Sequence, residues 1–180
     1  MAQTMTLLTA EDVEKLPSDL KCELIDGVLI EMSPPGNLHG RIVINVTLAL
    51  SRAEAMGLGR LFGEVGFIIR RGPDTVRAPD ACFFQAGRVP AASVSPAFWS
   101  VPPDLLVEVV SHWDTAAEIQ TKVREWFEFG VGLVWVVYPE SRTIHVIRSL
   151  QDRQILTVGD MLEGGDVLPG FSCAVADLFD

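Results

Sequence analysis

Hydrophobic positions along this chain recur with two periods, one close to 3.6 residues and one close to 2, which predicts both helices and strands. Helices are predicted over residues 9–16, 38–56 and 115–129. Strands are predicted near 60–70, 76–84, 105–111, 133–138, 143–148 and 154–158, with a β-hairpin over 23–31. This order of elements indicates one α/β domain, residues 1–180, with a mixed sheet and helices on its faces.

Short polar signals mark where several of these elements begin or turn. Asp26-Gly27, between two apolar runs, is typical of a tight hairpin turn. Asn37 is the candidate N-cap of the second helix, and Thr115 with Glu118 forms a capping box for the third. Local sequence therefore specifies the hairpin and the start of the third helix.

Two carboxylates, Asp80 and Glu108, stand alone inside apolar runs that are typical of strands. Asp80 lies within Val76–Phe84 and Glu108 lies within Asp104–Ser111. A continuous apolar strand has both faces covered, so a carboxylate in it loses water at a cost of roughly several kcal/mol unless a partner compensates. The simplest shared partner for two buried carboxylates is a divalent cation. The pair predicts a metal site at the edge of the sheet.

A lysine on the third predicted helix is placed to join these acids. On a helical wheel, Ile119, Val123 and Trp126 belong to the apolar face, and Lys122 falls on its border. The methylenes of such a lysine can run along the sheet while the ammonium reaches the strand that carries Glu108. Two carboxylates can hold Mg²⁺, which activates water and neutralises phosphate charge, and a lysine can orient the nucleophile.

Composition narrows the class of protein. The chain has 180 residues, 48% of them hydrophobic, and this is ample for one domain with a real core. No apolar stretch approaches the ~20 residues that span a bilayer, and the first residues lack the features of a signal peptide, so a cytoplasmic protein is expected. Cys22, Cys82 and Cys173 are scattered, which favours free thiols over disulfides or zinc.

The charge distribution bears on possible partners. A net charge of −10 argues against broad electrostatic attraction to nucleic acid. Residues 40–90 nevertheless hold seven arginines against four acids. This local excess is either an ordinary mixed surface or an arginine-bearing face beside the carboxylate site.

The spacing of the candidate residues resembles a known nuclease motif. Pro79-Asp80 followed by Glu108-Val109-Val110 is similar to the PD-(D/E)XK superfamily, in which a Pro-Asp precedes an acid-x-Lys. Val110 stands where that motif has its lysine, and Lys122 matches branches that carry the lysine on the neighbouring helix. More closely, the chain resembles the Uma-two-type family of restriction-endonuclease-like proteins. The matching segments are Cys22–Gly27, Met32–Pro35, His39, Ala78–Asp80, Pro103–Ser111, Lys122, Gly130-Val131, Trp135 and Leu168–Phe171.

The resemblance implies a restriction-endonuclease-like fold with an αβββαβ core, Mg²⁺ or Mn²⁺ as cofactor and DNA as the expected partner. Carried onto this chain, it implies that Asp80 and Glu108 bind the metal, that Lys122 is the catalytic lysine and that Glu23 is a supporting acid. His39, at the start of the second helix, is a candidate to bind phosphate or to contact the water at the metal. Because one site cuts one strand, a homo-oligomer, most simply a dimer, is expected.

One departure from the family lies beside the expected site. His112-Trp113-Asp114-Thr115 stands where the family continues with Pro-Ser-Thr/Asp, which affects substrate preference more than metal binding. The four tryptophans are expected in the core or at an interface, and Trp113, next to the site, is the one that could instead stack on a base. The apolar segment Pro96–Trp99 is the candidate dimer contact.

Several alternatives remain open from sequence. Lys122 can pair with Glu118 on its own helix, Glu108 can pair with a buried arginine, and Glu23 can be an exposed hairpin residue. A catalytically silent nucleic-acid- or protein-binding scaffold of the same fold is the main rival to an endonuclease, favoured by the acidic charge and the displaced lysine. A metal-dependent hydrolase of a small phosphoester is a third possibility.

Overall fold

The computed structural model describes residues 6–17, 20–89 and 97–180. Its α-helices are α1 (Ala10–Val13), α2 (Asn37–Ala55) and α3 (Ala116–Phe129), and a 3₁₀ turn covers Ala176–Leu178. Its strands are β1 (Cys22–Ile25), β2 (Val28–Glu31), β3 (Gly59–Phe62), β4 (Phe67–Arg70), β5 (Thr75–Arg77), β6 (Ala81–Gln85), β7 (Leu105–Val109), β8 (Leu133–Tyr138), β9 (Thr143–Ile147), β10 (Arg153–Leu156), β11 (Met161–Gly164) and β12 (Leu168–Ala174). Within these ranges, no helix has the length and apolar character needed to cross a membrane.

A six-stranded sheet with the order β10-β9-β8-β7-β6-β3 forms the centre of the fold. Strands β7 and β8 pair in parallel, and the other neighbours pair antiparallel, so the sheet is mixed. The α3 crossover between β7 and β8 is the connection that a parallel pair requires. The predicted class, a mixed sheet flanked by helices, is confirmed.

The two faces of this sheet are covered by different helices. On one face, Ile42, Val46 and Leu50 of α2 pack in a cluster with Val107 of β7. On the other face, Val123 and Trp126 of α3 pack with Leu106 of β7 and Val134 and Val136 of β8 in a second cluster. Successive residues of β7 therefore face opposite helices, as strand geometry requires.

A smaller four-stranded sheet has the order β2-β1-β5-β4. In sequence, its strands come before and after β3 of the central sheet. Its β1–β2 hairpin turns at Asp26-Gly27, both with positive φ, which confirms the predicted turn. The chain leaves this sheet at Arg77 and enters the central sheet at Ala81. Pro79-Asp80 thus forms the junction between the two sheets.

Local capping signals are confirmed with one exception. Thr9 and Thr115 each accept the backbone N–H three residues on, and Asp12 and Glu118 complete the two capping boxes. The second helix begins at Asn37 with Gly36 as its N-cap, so the prediction of Asn37 as the cap was wrong by one residue.

Two predicted strands were wrong in extent, because single apolar runs divide between the two sheets. The run 60–70 contains β3 of the central sheet and β4 of the smaller one. The run 76–84 is interrupted at Pro79, whose missing N–H cannot continue a ladder. The segment predicted to contact a second copy is only partly described. Trp99 is partly buried and packs edge-on against Phe62, while Pro96 lies outside the described residues.

Candidate functional site

Asp80 lies at the junction of the two sheets, directly before β6. Ala81 pairs with Val107 in the antiparallel β6–β7 register, so Asp80 follows on opposite Glu108. Directly opposed residues of an antiparallel pair point to the same face. Oδ2 of Asp80 accepts a 2.7 Å hydrogen bond from the backbone N–H of Val109, which fixes the carboxylate beside the end of β7. The two acids of the predicted pair are therefore neighbours on one face.

Glu108 is a buried carboxylate in the middle of apolar β7, with 6% of its surface exposed. Its Oε1 accepts a 2.8 Å hydrogen bond from the indole N–H of Trp126 on α3. Burial raises its pKa to about 7, an effect that Lys122 opposes and the charge of Asp80 reinforces. Burial therefore keeps a proton on this carboxyl to a higher pH than an exposed glutamate would keep it.

Lys122 of α3 places its ammonium between two carboxylates. Nζ lies 3.8 Å from Oε1 of Glu23 and 3.9 Å from Oε2 of Glu108, and only 13% of the side chain is exposed. Burial acts to lower the pKa of Lys122, but the charges of Glu108 and Glu23 outweigh it, so the pKa lies above its ordinary value. Glu118, the alternative partner from sequence, is engaged with Thr115 in the capping box.

Glu23 is buried on β1, contrary to the alternative of an exposed hairpin residue. Its Oε2 accepts a 2.6 Å bond from Arg77, and the same guanidinium donates to Glu125 of α3 at 2.7 and 3.0 Å. Arg77 is itself buried, and its charge is enclosed by these two acids. The arginine ties the smaller sheet to α3 directly beside Lys122.

His39, in the first turn of α2, contacts Asp80. Its Nε2 lies 3.4 Å from Oδ1 of Asp80. The interaction with Asp80 raises the pKa of His39 above its ordinary value, although burial acts in the opposite direction. Within the described part of the chain, the buried Nδ1 of this ring has no hydrogen-bond partner. An unpartnered buried nitrogen is uncommon and calls for an explanation.

Together these side chains form a continuous group, here called the charge array. Its members are Glu125, Arg77, Glu23, Lys122, Glu108, Asp80 and His39. Four are carboxylates and two are permanent cations, so with a neutral histidine the array is short of two positive charges. Protons on Glu108 and His39, or one divalent cation, can supply that charge.

The donor set suits a hard cation such as Mg²⁺ or Mn²⁺. In the described ranges, no three His, Cys, Asp or Glu side chains are arranged to hold a metal by themselves. Mg²⁺ needs only one or two protein carboxylates, because water and substrate phosphate complete its octahedral shell. Asp80 and Glu108 on one face match this requirement in chemistry, whereas a closed zinc-type cage would not fit.

A cleft of about 620 Å³ opens beside the array. Its walls come from the start of α2, the 110–116 segment after β7 and the 138–141 turn after β8, and His39 belongs to its lining. Trp113 lines the same cleft and is exposed. The cleft therefore reaches the array through the His39–Asp80 contact.

Sequence reasoning missed Arg77 and Glu125 and the link between Trp126 and Glu108. Arg77 carried the same signal as Asp80, a lone charge within an apolar run, but was counted with the surface arginines. Of the seven arginines in 40–90, five contact carboxylates and the other two donate to backbone carbonyls. Of the two alternatives left by the sequence, an ordinary mixed surface is therefore favoured over an arginine-bearing face.

The chain is similar to nuclease-like proteins in both sequence and fold. Residues 10–176 match the model of the Uma2 family, described as “Putative restriction endonuclease”. No curated protein matches the sequence. The fold is similar to the crystal structure of “a putative nuclease belonging to DUF820” from Anabaena variabilis, with a TM-score of 0.81 and 20% identity over 96% of this chain and 97% of that chain. At this identity the structural likeness shows the shared fold.

Proposed function

The chain belongs to the Uma2 family, and from that premise we propose that it is a metal-dependent endonuclease that hydrolyses DNA phosphodiester bonds. The observation that carries the proposal is the charge array, which lacks two positive charges at Asp80 and Glu108. A structural ion-pair network gains nothing from such an imbalance, since an uncompensated buried carboxylate costs several kcal/mol. One divalent cation between Asp80 and Glu108 would supply both missing charges, which protons on Glu108 and His39 can supply in its absence.

In this proposal Asp80 and Glu108 hold Mg²⁺ or Mn²⁺. When bound, the cation would supply activation of water and neutralisation of phosphate charge. Lys122, already charged between Glu23 and Glu108, would orient the attacking water and add positive charge near the phosphate. His39 would hold Asp80 in position and present a protonated ring to the phosphate.

Glu23 has a supporting role in this scheme. Arg77 compensates one oxygen of Glu23, and the other faces Lys122. Glu23 would therefore keep the lysine ammonium next to Glu108 without drawing it away from the site. It would act by positioning Lys122, not by binding the metal.

The test is cleavage of supercoiled plasmid DNA and of circular single-stranded DNA, each with Mn²⁺, Mg²⁺ or EDTA. We expect cleavage by the natural protein with metal and none with EDTA. Asp80→Asn, Glu108→Gln and Lys122→Met should each reduce the rate by about a hundredfold or more, the order of magnitude for groups that act in the transition state. Lys15→Met is the matched control, because Lys15 is exposed and contacts only Asp12 in its salt bridge.

The rival proposal is a catalytically silent binding scaffold. Val110 in the position of the motif lysine and the net charge of −10 favour it. Absence of metal-dependent cleavage of both the plasmid and the single-stranded circle, together with a melting temperature that Mn²⁺ does not change, would select the scaffold over the nuclease. A metal-induced rise in melting temperature without nicking would point instead to a small phosphoester as substrate.

A further inference from the structure

The cleft beside the charge array has an aromatic side chain at its mouth. Trp113 has 76% of its surface exposed, whereas Trp126 and Trp135 are buried. An indole that exposed leaves a large apolar face in water. A single exposed apolar residue needs no explanation by itself. Trp113 is a candidate for ligand binding because it lines the cleft that reaches Asp80 through His39.

The segment that carries Trp113 is held in shape by its own hydrogen bonds. The backbone N–H of Ser111 donates to Oδ2 of Asp114 at 2.7 Å, and the N–H of Trp113 donates to Oγ of Ser111 at 3.3 Å. The indole meets the ring of His112 edge-on, with centroids 5.1 Å apart. His112 in turn contacts Glu140 across the cleft at 3.1 Å. These contacts fix the conformation of the turn that carries the indole.

The charge of the cleft indicates which part of a nucleic acid can occupy it. Among the described residues that line it, none is lysine or arginine, while Asp114 and Glu140 are acidic. Duplex DNA is bound mainly through many phosphate contacts from basic side chains. The described lining of this cleft has no such side chains, so the phosphates of a duplex or of a single strand would not be held inside it. A nucleobase is uncharged and flat, so it can enter an acidic, aromatic cleft while its phosphate lies toward His39, the lining residue that contacts Asp80.

The volume of the cleft also suits such a ligand. At about 620 Å³ it falls in the range of pockets that hold small organic ligands, roughly 300 to 1,000 Å³. A base inside a duplex is stacked and paired and cannot reach a side chain in this way. A base in a single strand is free to stack on an aromatic ring.

We propose that Trp113 stacks on an unpaired base next to the bond that is cut, so that the substrate is single-stranded DNA. The inference rests on the proposed nuclease function and specifies its substrate class. Tyr138 and His112, which line the same cleft, would flank the base. Recognition by stacking is tolerant of sequence, because every base has an aromatic face.

The test measures binding of short fluorescein-labelled strands by anisotropy, with Ca²⁺ in place of Mn²⁺. The probes are an oligothymidylate, the same strand with abasic positions, and its duplex with oligoadenylate. We expect the single strand to bind more tightly than the duplex. Trp113→Ala should weaken single-strand binding by about 10- to 100-fold, whereas Trp113→Phe retains most of it. Leu150→Ala, an exposed apolar residue outside the cleft lining, is the control and should change nothing.

The abasic strand separates stacking from a general effect. For the natural protein, replacing oligothymidylate with the abasic strand should weaken binding by the same factor as the Trp113→Ala substitution does. The Trp113→Ala variant should bind the abasic strand and oligothymidylate with equal affinity. Equal binding of the two strands by the natural protein would overturn the inference, as would a neutral Trp113→Ala.

Nicking and metal-induced stabilisation report on the proposed function separately. If metal-dependent nicking and metal-induced stabilisation are both observed but Trp113→Ala binds the single strand like the natural protein, the nuclease function is supported and the single-strand inference is wrong. If Trp113 contributes to single-strand binding but neither nicking nor metal-induced stabilisation is observed, the protein is a binding scaffold and not a nuclease.

Discussion

The indole N–H of Trp126 donates a 2.8 Å hydrogen bond to Oε1 of Glu108, and both residues are buried between α3 and the central sheet. The bond occupies one oxygen of the carboxylate and leaves Oε2 toward Lys122, at 3.9 Å. Packing of α3 on the sheet therefore sets the orientation of the acid. Trp126 belongs to the apolar face of α3, and its indole N–H also orients the carboxylate of Glu108. Hydrophobic spacing in the sequence does not reveal this second role.

The raised pKa of Glu108 predicts how stability depends on pH when no metal is present. Its pKa of about 7 in the folded protein exceeds the ordinary value of 4.5, so the folded state keeps a proton that the unfolded chain releases. This contribution to stability is complete below about pH 4.5 and is lost as pH rises through 7. We expect urea melts in EDTA to show a loss of up to about 3 kcal/mol from this group between about pH 5 and pH 8.

Glu108→Gln should remove that part of the pH dependence, because a glutamine does not titrate. Glu163→Gln, at an exposed strand position, is the control and should leave the pH profile of the natural protein unchanged. A Glu108→Gln profile as steep as that of the natural protein would mean that another group is responsible.

Asp80→Asn should leave the metal-free protein as stable as the natural one or more stable. The negative charge of Asp80 is among the causes that raise the pKa of Glu108, and an asparagine oxygen can still accept the bond from the Val109 N–H. Mn²⁺ should stabilise the natural protein by RT ln(1 + [L]/Kd), about 1.4 kcal/mol at ten times Kd. The Asn variant should lose most of that gain, measured as the shift in melting temperature.

Asp166→Asn, at an exposed turn position, is the matched control for this charge change and should keep the full metal-induced shift. Identical melting of Asp80→Asn and the natural protein with and without Mn²⁺ would remove Asp80 from any metal site.

Elements defined by neighbouring residues were predictable from sequence, whereas contacts between distant elements were not. The Asp26-Gly27 turn and the Thr115 capping box depend on residues within one turn of the chain. The burial of Arg77 depends on Glu23 and Glu125, which lie 54 and 48 positions away. No local pattern reveals such partners. The division of one apolar run between two sheets at Pro79 has the same origin, because sheet membership is decided by distant strands.

The homodimer expected from sequence remains a prediction, and so does a contact through the segment Pro96–Trp99. Trp99 is partly buried and packs against Phe62, Phe67 and Phe84, so only part of its ring is exposed for such a contact. We expect sedimentation at micromolar concentration to give twice the 19.7 kDa mass of the chain. A monomer under these conditions would exclude a stable dimer.

Arg77 should be far more important for stability than an exposed arginine in an ion pair. Arg77→Met leaves Glu23 and Glu125 buried without their cation, a change that costs about 3–5 kcal/mol. Arg60→Met is the matched control. Its contact with Glu54 is 3.6 Å long and its side chain is 71% exposed, so the loss should be about 1 kcal/mol or less in urea unfolding.

A second substitution shows whether the cost arises from unpaired charge or from lost packing. Adding Glu125→Gln to Arg77→Met removes one of the stranded carboxylates and should restore part of the stability, because the desolvation penalty of that charge disappears. Arg77→Lys should recover only part, since an ammonium cannot reproduce the guanidinium contacts to both acids. Equal losses for Arg77→Met and its double variant would assign the effect to packing, and the two acids would then not depend on Arg77 for their charge balance.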